Sequence, residues 1–212
     1  NGLPGEDRSI GLSIEPLAVP AISLGGSATA IASGNFHTCS IIADGSVRCW
    51  GTASSGQLGY GNDVIVGDAI SPAAAGPVPI GGGRTAVALT AGRFHTCAIL
   101  DTGDVRCWGA AGAMADGTEY GKSTPASSSP IVPLGGNKAV AISAGNNSTC
   151  ALVESGDVFC WGSGRVADYS NGTSSGISGV EQADLGGRKA EQITLGFEHA
   201  CVTFDGGELT CW

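Results

Sequence analysis

Charged residues, and basic ones in particular, are scarce in this sequence. They make up 14% of its 212 residues, with 10 Lys and Arg against 19 Asp and Glu, which gives a formal net charge of −9. Such a chain would be repelled by a phosphate backbone, so we expect no nucleic-acid partner. The sequence also lacks a polybasic segment that would draw it to an anionic membrane, and we expect no membrane insertion.

Two further absences bear on fold and function. No long segment has a convincing helical period of hydrophobic residues, so extended amphipathic helices are not predicted. The GxSxG, HExxH, P-loop and EF-hand patterns are missing, and the carboxylates are scattered without the spacing of a catalytic pair or a calcium site. The sequence therefore predicts a non-enzymatic protein without a cofactor or a metal site.

Glycine and cysteine are abundant, with 36 and eight residues respectively, and the hydrophobic share of 42% argues against disorder. All eight cysteines and all four tryptophans fall within one stretch that occurs four times. The four copies are GNFHTCSIIADGSVRCWG (34–51), GRFHTCAILDTGDVRCWG (92–109), GNNSTCALVESGDVFCWG (145–162) and GFEHACVTFDGGELTCW (196–212).

The local pattern within each copy is that of short strands. The runs AVALTAG, HTCAIL and DVRCW alternate with period two and are separated by turn residues. Repeats of about 50 residues made of short antiparallel strands are typical of propeller blades. We predict an all-β fold, a β-propeller of about four blades with four antiparallel strands each. It is predicted as one segment over 1–212, with repeat cores at 28–51, 86–109, 139–162 and 190–212.

These residues resemble the repeats of the regulator of chromosome condensation family. AGRFHTCAILDTGDVRCWG (91–109) matches the first two parts of that family's pattern, and Gly56-Gln57-Leu58-Gly59 matches the third. The resemblance implies a β-propeller with four-stranded blades and loops that bind other proteins. The sequence runs from mid-repeat to mid-repeat, so we expect part of a larger propeller, or one that is completed by assembly.

The spacing of the cysteines predicts their pairing. Ten positions separate the two cysteines of every copy, and we place a left-handed loop glycine between them at Gly45, Gly103, Gly156 and Gly206. A three-residue hairpin loop that ends at Gly103 sets Cys97 directly opposite Cys107. The same register predicts four disulfides, Cys39–Cys49, Cys97–Cys107, Cys150–Cys160 and Cys201–Cys211.

Two other interpretations of the cysteines are less favoured. A histidine precedes three of the first cysteines by two positions, at His37, His95 and His199, which would suit zinc. The third copy has Ser148 instead and still keeps both cysteines, which argues against a metal. A redox couple would be expected once, not four times. Disulfides indicate an oxidising compartment, which is extracellular, at the cell surface or periplasmic.

The tryptophans Trp50, Trp108, Trp161 and Trp212 are interpreted as packing between blades, with an aromatic binding platform as the alternative. We predict a scaffold for protein–protein interaction or self-assembly, whose partner is another protein or further copies of the chain. The alternative is a regulator or inhibitor that docks one partner through its longer loops, residues 51–80 and 109–133. A hydrolase with a site in the central channel is the third hypothesis.

Overall fold

The computed structural model describes residues 20–163, 166 and 179–212. These residues form four antiparallel sheets in chain order, which we call blades 1 to 4. Blade 1 consists of β1 (Ala28–Ser33), β2 (His37–Ile42) and β3 (Val47–Gly51), and blade 2 of β4 (Ala86–Ala91), β5 (His95–Leu100) and β6 (Val105–Gly109). Blade 3 consists of β7 (Ala139–Ala144), β8 (Ser148–Val153), β9 (Val158–Gly162) and β10 (Val180–Gln182). Blade 4 consists of β11 (Ala190–Leu195), β12 (Ala200–Phe204) and β13 (Leu209–Cys211).

The helical segments within residues 20–163 and 179–212 are short pieces of the loops. These are the helix α1 (Pro72–Ala75) and two 3-10 turns at Ala111–Ala113 and Ala126–Ser128. Ser71 caps α1, because its hydroxyl accepts a hydrogen bond from the Ala74 N–H at 3.2 Å. The predicted all-β architecture of about four blades is confirmed.

The predicted hairpin register is also confirmed. Cys97 lies opposite Cys107 in the ladder between β5 and β6, and the left-handed Gly103, with φ of 76°, donates its N–H to the Leu100 carbonyl at 2.8 Å. In blade 4 the glycine prediction was wrong by one residue. There Gly207 closes the turn, since its N–H donates to the Phe204 carbonyl at 3.0 Å. Both glycines have positive φ, but Gly207 lies six positions after Cys201, as the turn glycines of the other copies do after their first cysteines, whereas Gly206 lies five positions after it.

The fourth strand position differs between blades for a reason that is visible in the sequence. In blade 3, β10 pairs with β9 over three residues. In blades 1 and 2 the corresponding segments make an equivalent bond, from the Val78 N–H to the Val47 carbonyl and from the Val132 N–H to the Val105 carbonyl, both at 2.9 Å. They do not extend into a ladder, because prolines flank them and proline has no N–H to donate.

The core lies between consecutive blades. Val47 and Cys49 of blade 1 pack in one cluster with Leu100 and Trp108 of blade 2, and all of them are buried. We call the side of a blade that meets the following blade its forward face (Val47 and Cys49 in blade 1). The side that meets the preceding blade is its rear face (Leu100 and Trp108 in blade 2). The interpretation of the tryptophans as packing residues is confirmed for Trp108 and Trp161, both of which are fully buried.

Gly59 shows why the first repeat needs glycine behind Gln57 and Leu58. A Cβ atom at Gly59 would lie 2.8 Å from the Trp108 indole nitrogen, which is too close for two non-bonded heavy atoms of this kind. The indole N–H of Trp108 donates to the Gln57 carbonyl at 3.0 Å. The loop that follows β3 is therefore shaped to receive the tryptophan of the next blade.

Candidate interaction surfaces

Each of the four hairpins carries a disulfide between directly opposed cysteines. The Cα–Cα distance is 4.1 Å in all four bonds, which are Cys39–Cys49, Cys97–Cys107, Cys150–Cys160 and Cys201–Cys211. The first three bonds are buried between blades, whereas Cys201 is half-buried and Cys211 exposed. The first three disulfides thus lie in the packing layer between blades.

The described residues give no support to a metal centre or a membrane span. No three His, Cys, Asp or Glu side chains within 20–163 and 179–212 come together in a way that could hold a metal ion. In the same part of the chain, no helix has the length and apolar character needed to cross a membrane.

His37 connects blade 1 to blade 2. Its Nε2 lies 2.8 Å from the Thr96 Oγ1, and the Thr96 hydroxyl donates to the Gln57 carbonyl at 3.0 Å. The threonine proton is therefore engaged, so the histidine Nε2–H is the donor. The ring also lies on Gly34, where a Cβ atom would come within 2.7 Å of the imidazole Nδ1. The two groups that contact the ring, the Thr96 hydroxyl and Gly34, thus both belong to the repeated stretch.

His95 makes the same connection one blade further on. Its Nε2 lies 2.8 Å from the Thr149 Oγ1 of blade 3. Burial lowers the pKa of His37 from 6.5 to about 4 and that of His95 from 6.5 to about 3. Both rings are neutral at physiological pH, which suits a hydrogen-bonded position in an apolar junction better than an acid–base role.

The third junction explains why one copy dispenses with its histidine. Ser148 occupies the histidine position of blade 3, and Ala200 occupies the threonine position of blade 4. Donor and acceptor have thus been replaced together. Aligning the histidines within their own copies does not reveal the threonines that they meet in the next blade. The signal was available, because the copies read His-Thr, His-Thr, Ser-Thr and His-Ala at these two positions.

A second set of contacts joins the rims of the blades. The Lys138 ammonium lies 2.7 Å from the Asp104 carboxylate, and Lys189 lies 2.7 Å from Asp157. In both pairs a hairpin-turn carboxylate meets a lysine that directly precedes the inner strand of the next blade. Hydrogen bonds from Lys138 and Thr102 lower the pKa of Asp104. These carboxylates, scattered in the sequence, are therefore used in blade-to-blade contacts.

Exposed apolar side chains lie mainly outside the junctions. In the loop over 51–80, Val64 is 44% exposed and Ile65 is 56% exposed, and Ile70 is exposed as well. In the loop over 109–133, Ile131 is exposed. The rings of Phe36 and Phe94 stack with centroids 5.6 Å apart at the turns between the first two strands of blades 1 and 2.

The ends of the four inner strands surround a shallow cavity at the centre. Its described lining consists of small, amide and apolar residues, with no carboxylate, histidine or cysteine: Ser33, Gly34, Asn35, Ala91, Gly92, Ala144, Gly145, Asn146, Leu195, Gly196 and Phe197. A hydrolytic site needs a nucleophile or a pair of acid–base groups. This lining therefore gives no support to the channel hydrolase.

Parts of this chain are similar to known repeat proteins. The sequence pattern described as "Regulator of chromosome condensation (RCC1) repeat" matches residues 28–57, 86–112 and 139–166. The chain is similar to "Regulator of chromosome condensation" of Drosophila melanogaster, with 29% identity over 168 residues that cover 78% of this chain and 29% of the fly protein. The chain therefore spans less than a third of that relative.

Solved structures share the architecture. The structure of Prp20p from Saccharomyces cerevisiae, described with its binding properties to Gsp1p and histones, superposes with a TM-score of 0.67 at 22% identity, over 86% of this chain and 43% of that one. The ectodomain of the receptor kinase CR4 from Physcomitrella patens superposes with a TM-score of 0.55 at 22% identity, over 88% and 39%. Three of the four repeats thus match the regulator of chromosome condensation repeat pattern, and the chain shares the β-propeller fold of these structures.

Proposed function

We propose that this chain is a non-enzymatic propeller scaffold for protein–protein interaction that works in an oxidising compartment. The observation that carries the proposal is the hairpin disulfide in every blade. Reducing compartments keep thiols free, so a fold that places eight cysteines as four opposed pairs suits the cell exterior, the cell surface or the periplasm. The likeness to a receptor-kinase ectodomain is consistent with such a location.

The interaction part of the proposal rests on what the propeller presents to solvent. Its junctions are occupied by structural contacts, and its central cavity lacks catalytic groups among the described residues. The exposed apolar side chains lie on loops and blade edges, where a protein partner can reach them. The yeast relative, whose described binding partners are proteins, is consistent with this use of the scaffold.

The thiol state of the native protein tests the compartment. Intact mass after alkylation under denaturing conditions, with and without prior reduction, counts the free thiols. We expect no label without reductant and eight labels after reduction, one for each cysteine. Eight labels in unreduced native material would contradict the proposal.

A regulator or inhibitor that docks a single partner is the second candidate, and one observation favours it. The loop over 51–80 exposes Val64, Ile65 and Ile70 in one stretch of chain. Once a binding partner has been found by crosslinking, the double substitution Val64→Ser and Ile65→Ser should weaken its binding at least tenfold. Val140→Ser on the inner strand of blade 3, where the side chain is 55% exposed, is the matched control. Equal binding by all three proteins would exclude this loop.

A further inference from the structure

In the first three blades the backbone of the second cysteine points to the outer edge of the blade, and blade 1 covers it with a tyrosine. The Tyr60 hydroxyl donates to the Cys49 carbonyl at 3.1 Å and accepts from the Cys49 N–H at 3.2 Å. In blade 3, Glu181 of β10 pairs with Cys160 of β9 in a regular ladder. Blades 1 and 3 therefore both place a hydrogen-bonding group against this cysteine.

Blade 2 leaves the carbonyl of its second cysteine without a partner. The Val132 N–H donates to the Val105 carbonyl at 2.9 Å, and Arg106 forms a bridge with Ile131, so Pro130 is the residue opposite Cys107. Proline has no N–H to donate. Within residues 20–163 and 179–212, no other group donates to the Cys107 carbonyl. A buried carbonyl of this kind needs a donor from water or from a ligand.

A cavity of about 210 Å³ lies beside this carbonyl, and we call it the Cys107 cavity. Cys107 forms its wall on the blade side, and its other walls are mainly apolar side chains of the loop over 109–133, among them Met114, Ala115 and Ile131. A cavity of about 150 Å³ is enough to hold benzene, so the Cys107 cavity has room for one aromatic ring.

The sequence explains why blade 2 has this cavity. Counted from the glycine that ends the third strand, Leu58 and Tyr60 of blade 1 correspond to Asp116 and Thr118 of blade 2. Leu58 is fully buried and Tyr60 is half-buried, whereas Asp116 and Thr118 are both exposed. The loop of blade 2 therefore supplies neither the aliphatic side chain nor the phenol that blade 1 inserts beside its cysteine.

The same loop has also lost a contact with the following blade. In the first junction the Trp108 indole N–H donates to the Gln57 carbonyl. In the second junction the Trp161 indole N–H is buried, and no group of the described residues accepts its hydrogen bond. The loop over 109–133 thus makes fewer structural contacts than its counterpart in blade 1, which favours a use other than closing the junction.

We propose that the Cys107 cavity binds the side chain of a tyrosine that a partner protein presents. The ring fills the cavity, and the phenol hydroxyl donates to the Cys107 carbonyl as the Tyr60 hydroxyl does to the Cys49 carbonyl within blade 1. Tyrosine is a frequent anchor residue of protein interfaces, where it fills a pocket of the other partner. The inference rests on the proposed function as an interaction scaffold and specifies the anchor residue of the partner.

The mouth of the Cys107 cavity selects a neutral phenol. The Asp116 carboxylate is part of the lining, and it accepts hydrogen bonds from the Tyr120 hydroxyl at 2.7 Å and from the Thr118 N–H at 3.0 Å. A phosphorylated tyrosine would bring further negative charge toward this carboxylate and be repelled. Phosphorylation of the anchor tyrosine should therefore prevent binding.

Binding of p-cresol, which is the tyrosine side chain without its backbone, tests the site on the whole chain. Met114 is the only methionine of the sequence, and its buried side chain lines the cavity, so a methyl-labelled methionine gives one NMR signal from the site. We expect p-cresol to shift this signal with a Kd about two- to tenfold lower than that of toluene, which lacks the hydroxyl. The phosphate monoester of p-cresol should leave the signal unchanged.

Two variants and a larger ligand locate the site and its natural occupant. Ala115→Phe fills the cavity and should weaken p-cresol binding at least tenfold, whereas Val64→Phe on the exposed part of the loop over 51–80 should bind like the unmodified chain. Thermal melting verifies that both variants fold. N-acetyltyrosinamide, which carries the backbone of a tyrosine, should bind at least as tightly as p-cresol.

An unchanged Met114 signal, equal Kd values for p-cresol and toluene, or undiminished binding by Ala115→Phe would overturn the phenol site. Binding of p-cresol without binding of N-acetyltyrosinamide would assign the cavity to a free phenolic compound and overturn the partner tyrosine. Each of these results would leave the scaffold proposal standing, because that proposal is judged by the thiol count and by partner binding.

Discussion

The first two junctions and the third fulfil the same structural task with different chemistry. Between blades 1 and 2, and again between blades 2 and 3, a buried neutral histidine bonds to a threonine of the next blade. Between blades 3 and 4, Ser148 and Ala200 stand in those places and no such bond exists. Packing of the cysteines and aliphatic residues continues across all three junctions. The comparison separates the packing that every junction needs from the polar contact that it can lose.

The largest expected effect concerns this common packing. Trp108→Ala removes a fully buried indole together with its hydrogen bond to the Gln57 carbonyl, so it should lower the free energy of unfolding by about 3–5 kcal/mol. Trp212→Ala, at the half-buried equivalent in blade 4, should cost clearly less. Urea denaturation of both variants measures the difference. Equal losses would show that the junctions do not differ in burial as the structure describes.

Acid should weaken the two histidine junctions selectively. The pKa of His37 is lowered from 6.5 to about 4 and that of His95 to about 3, so between these values and 6.5 the unfolded chain binds protons that the folded chain does not. The contribution of the two neutral histidines to the free energy of unfolding is therefore complete above about pH 6.5. It falls as the pH drops toward 4, by up to about 1.4 kcal/mol per pH unit for each histidine.

Urea titrations at a series of pH values measure this slope. His95→Gln removes one of the two titrating groups, so its stability curve should be clearly flatter between pH 6.5 and 4. A curve with an unchanged slope would assign the acid sensitivity to other groups. His37→Gln serves as the matched second variant.

Exchanging the His–Thr pair of one junction for the Ser–Ala pair of another should show how much the paired side chains contribute to the free energy of unfolding. His95→Ser alone leaves the Thr149 hydroxyl without its histidine partner and should cost about 1–3 kcal/mol. Adding Thr149→Ala recreates the third junction and should recover part of that loss, which a double-mutant cycle quantifies. Strictly additive losses would mean that the two side chains do not act as a pair. The reverse exchange, Ser148→His with Ala200→Thr, should be better tolerated than Ser148→His alone.

The smallest effect is expected at the blade rims. Lys138→Met breaks the ion pair with Asp104. Both side chains of this pair are partly exposed to solvent, so the substitution should lower the free energy of unfolding by only about 0–1 kcal/mol. Thermal melting at low and high salt measures it, and the loss should shrink as salt screens the wild-type pair. Thr85→Met, at the same position of the uncharged first junction, is the control. A large, salt-independent loss at Lys138 would indicate packing by its aliphatic stem instead.

Much of this architecture can be predicted from the spacing of residues along the sequence. Ten positions between cysteines and a loop glycine at Gly103 are enough to define the hairpin register, because a register error of one residue would put the sulfurs on opposite faces. The propeller likewise follows from the repeat period and the strand alternation. What counting did not supply are contacts that cross from one copy to the next. His37 and Thr96 are 59 positions apart, and each appears unremarkable within its own copy.

The remaining differences are of two kinds. Gly207 lies six positions after Cys201, which is the spacing of the turn glycine in the other copies, so the spacing as well as the backbone hydrogen bond to Phe204 separates it from Gly206. The prolines around Val78 and Val132 indicate that the fourth strand of blades 1 and 2 is reduced to isolated hydrogen bonds. The loop exposure of Val64 and Ile65 depends on tertiary packing and has no signature in the local pattern.

The unequal burial of the disulfides has a kinetic consequence. A soluble reductant must reach a sulfur before exchange can begin, and in the described chain only the Cys201–Cys211 bond has an exposed cysteine. Mild reduction should therefore open blade 4 first, while the bonds of the other blades persist until their junctions separate. The order in which thiols appear along the chain would then record the order in which the propeller comes apart.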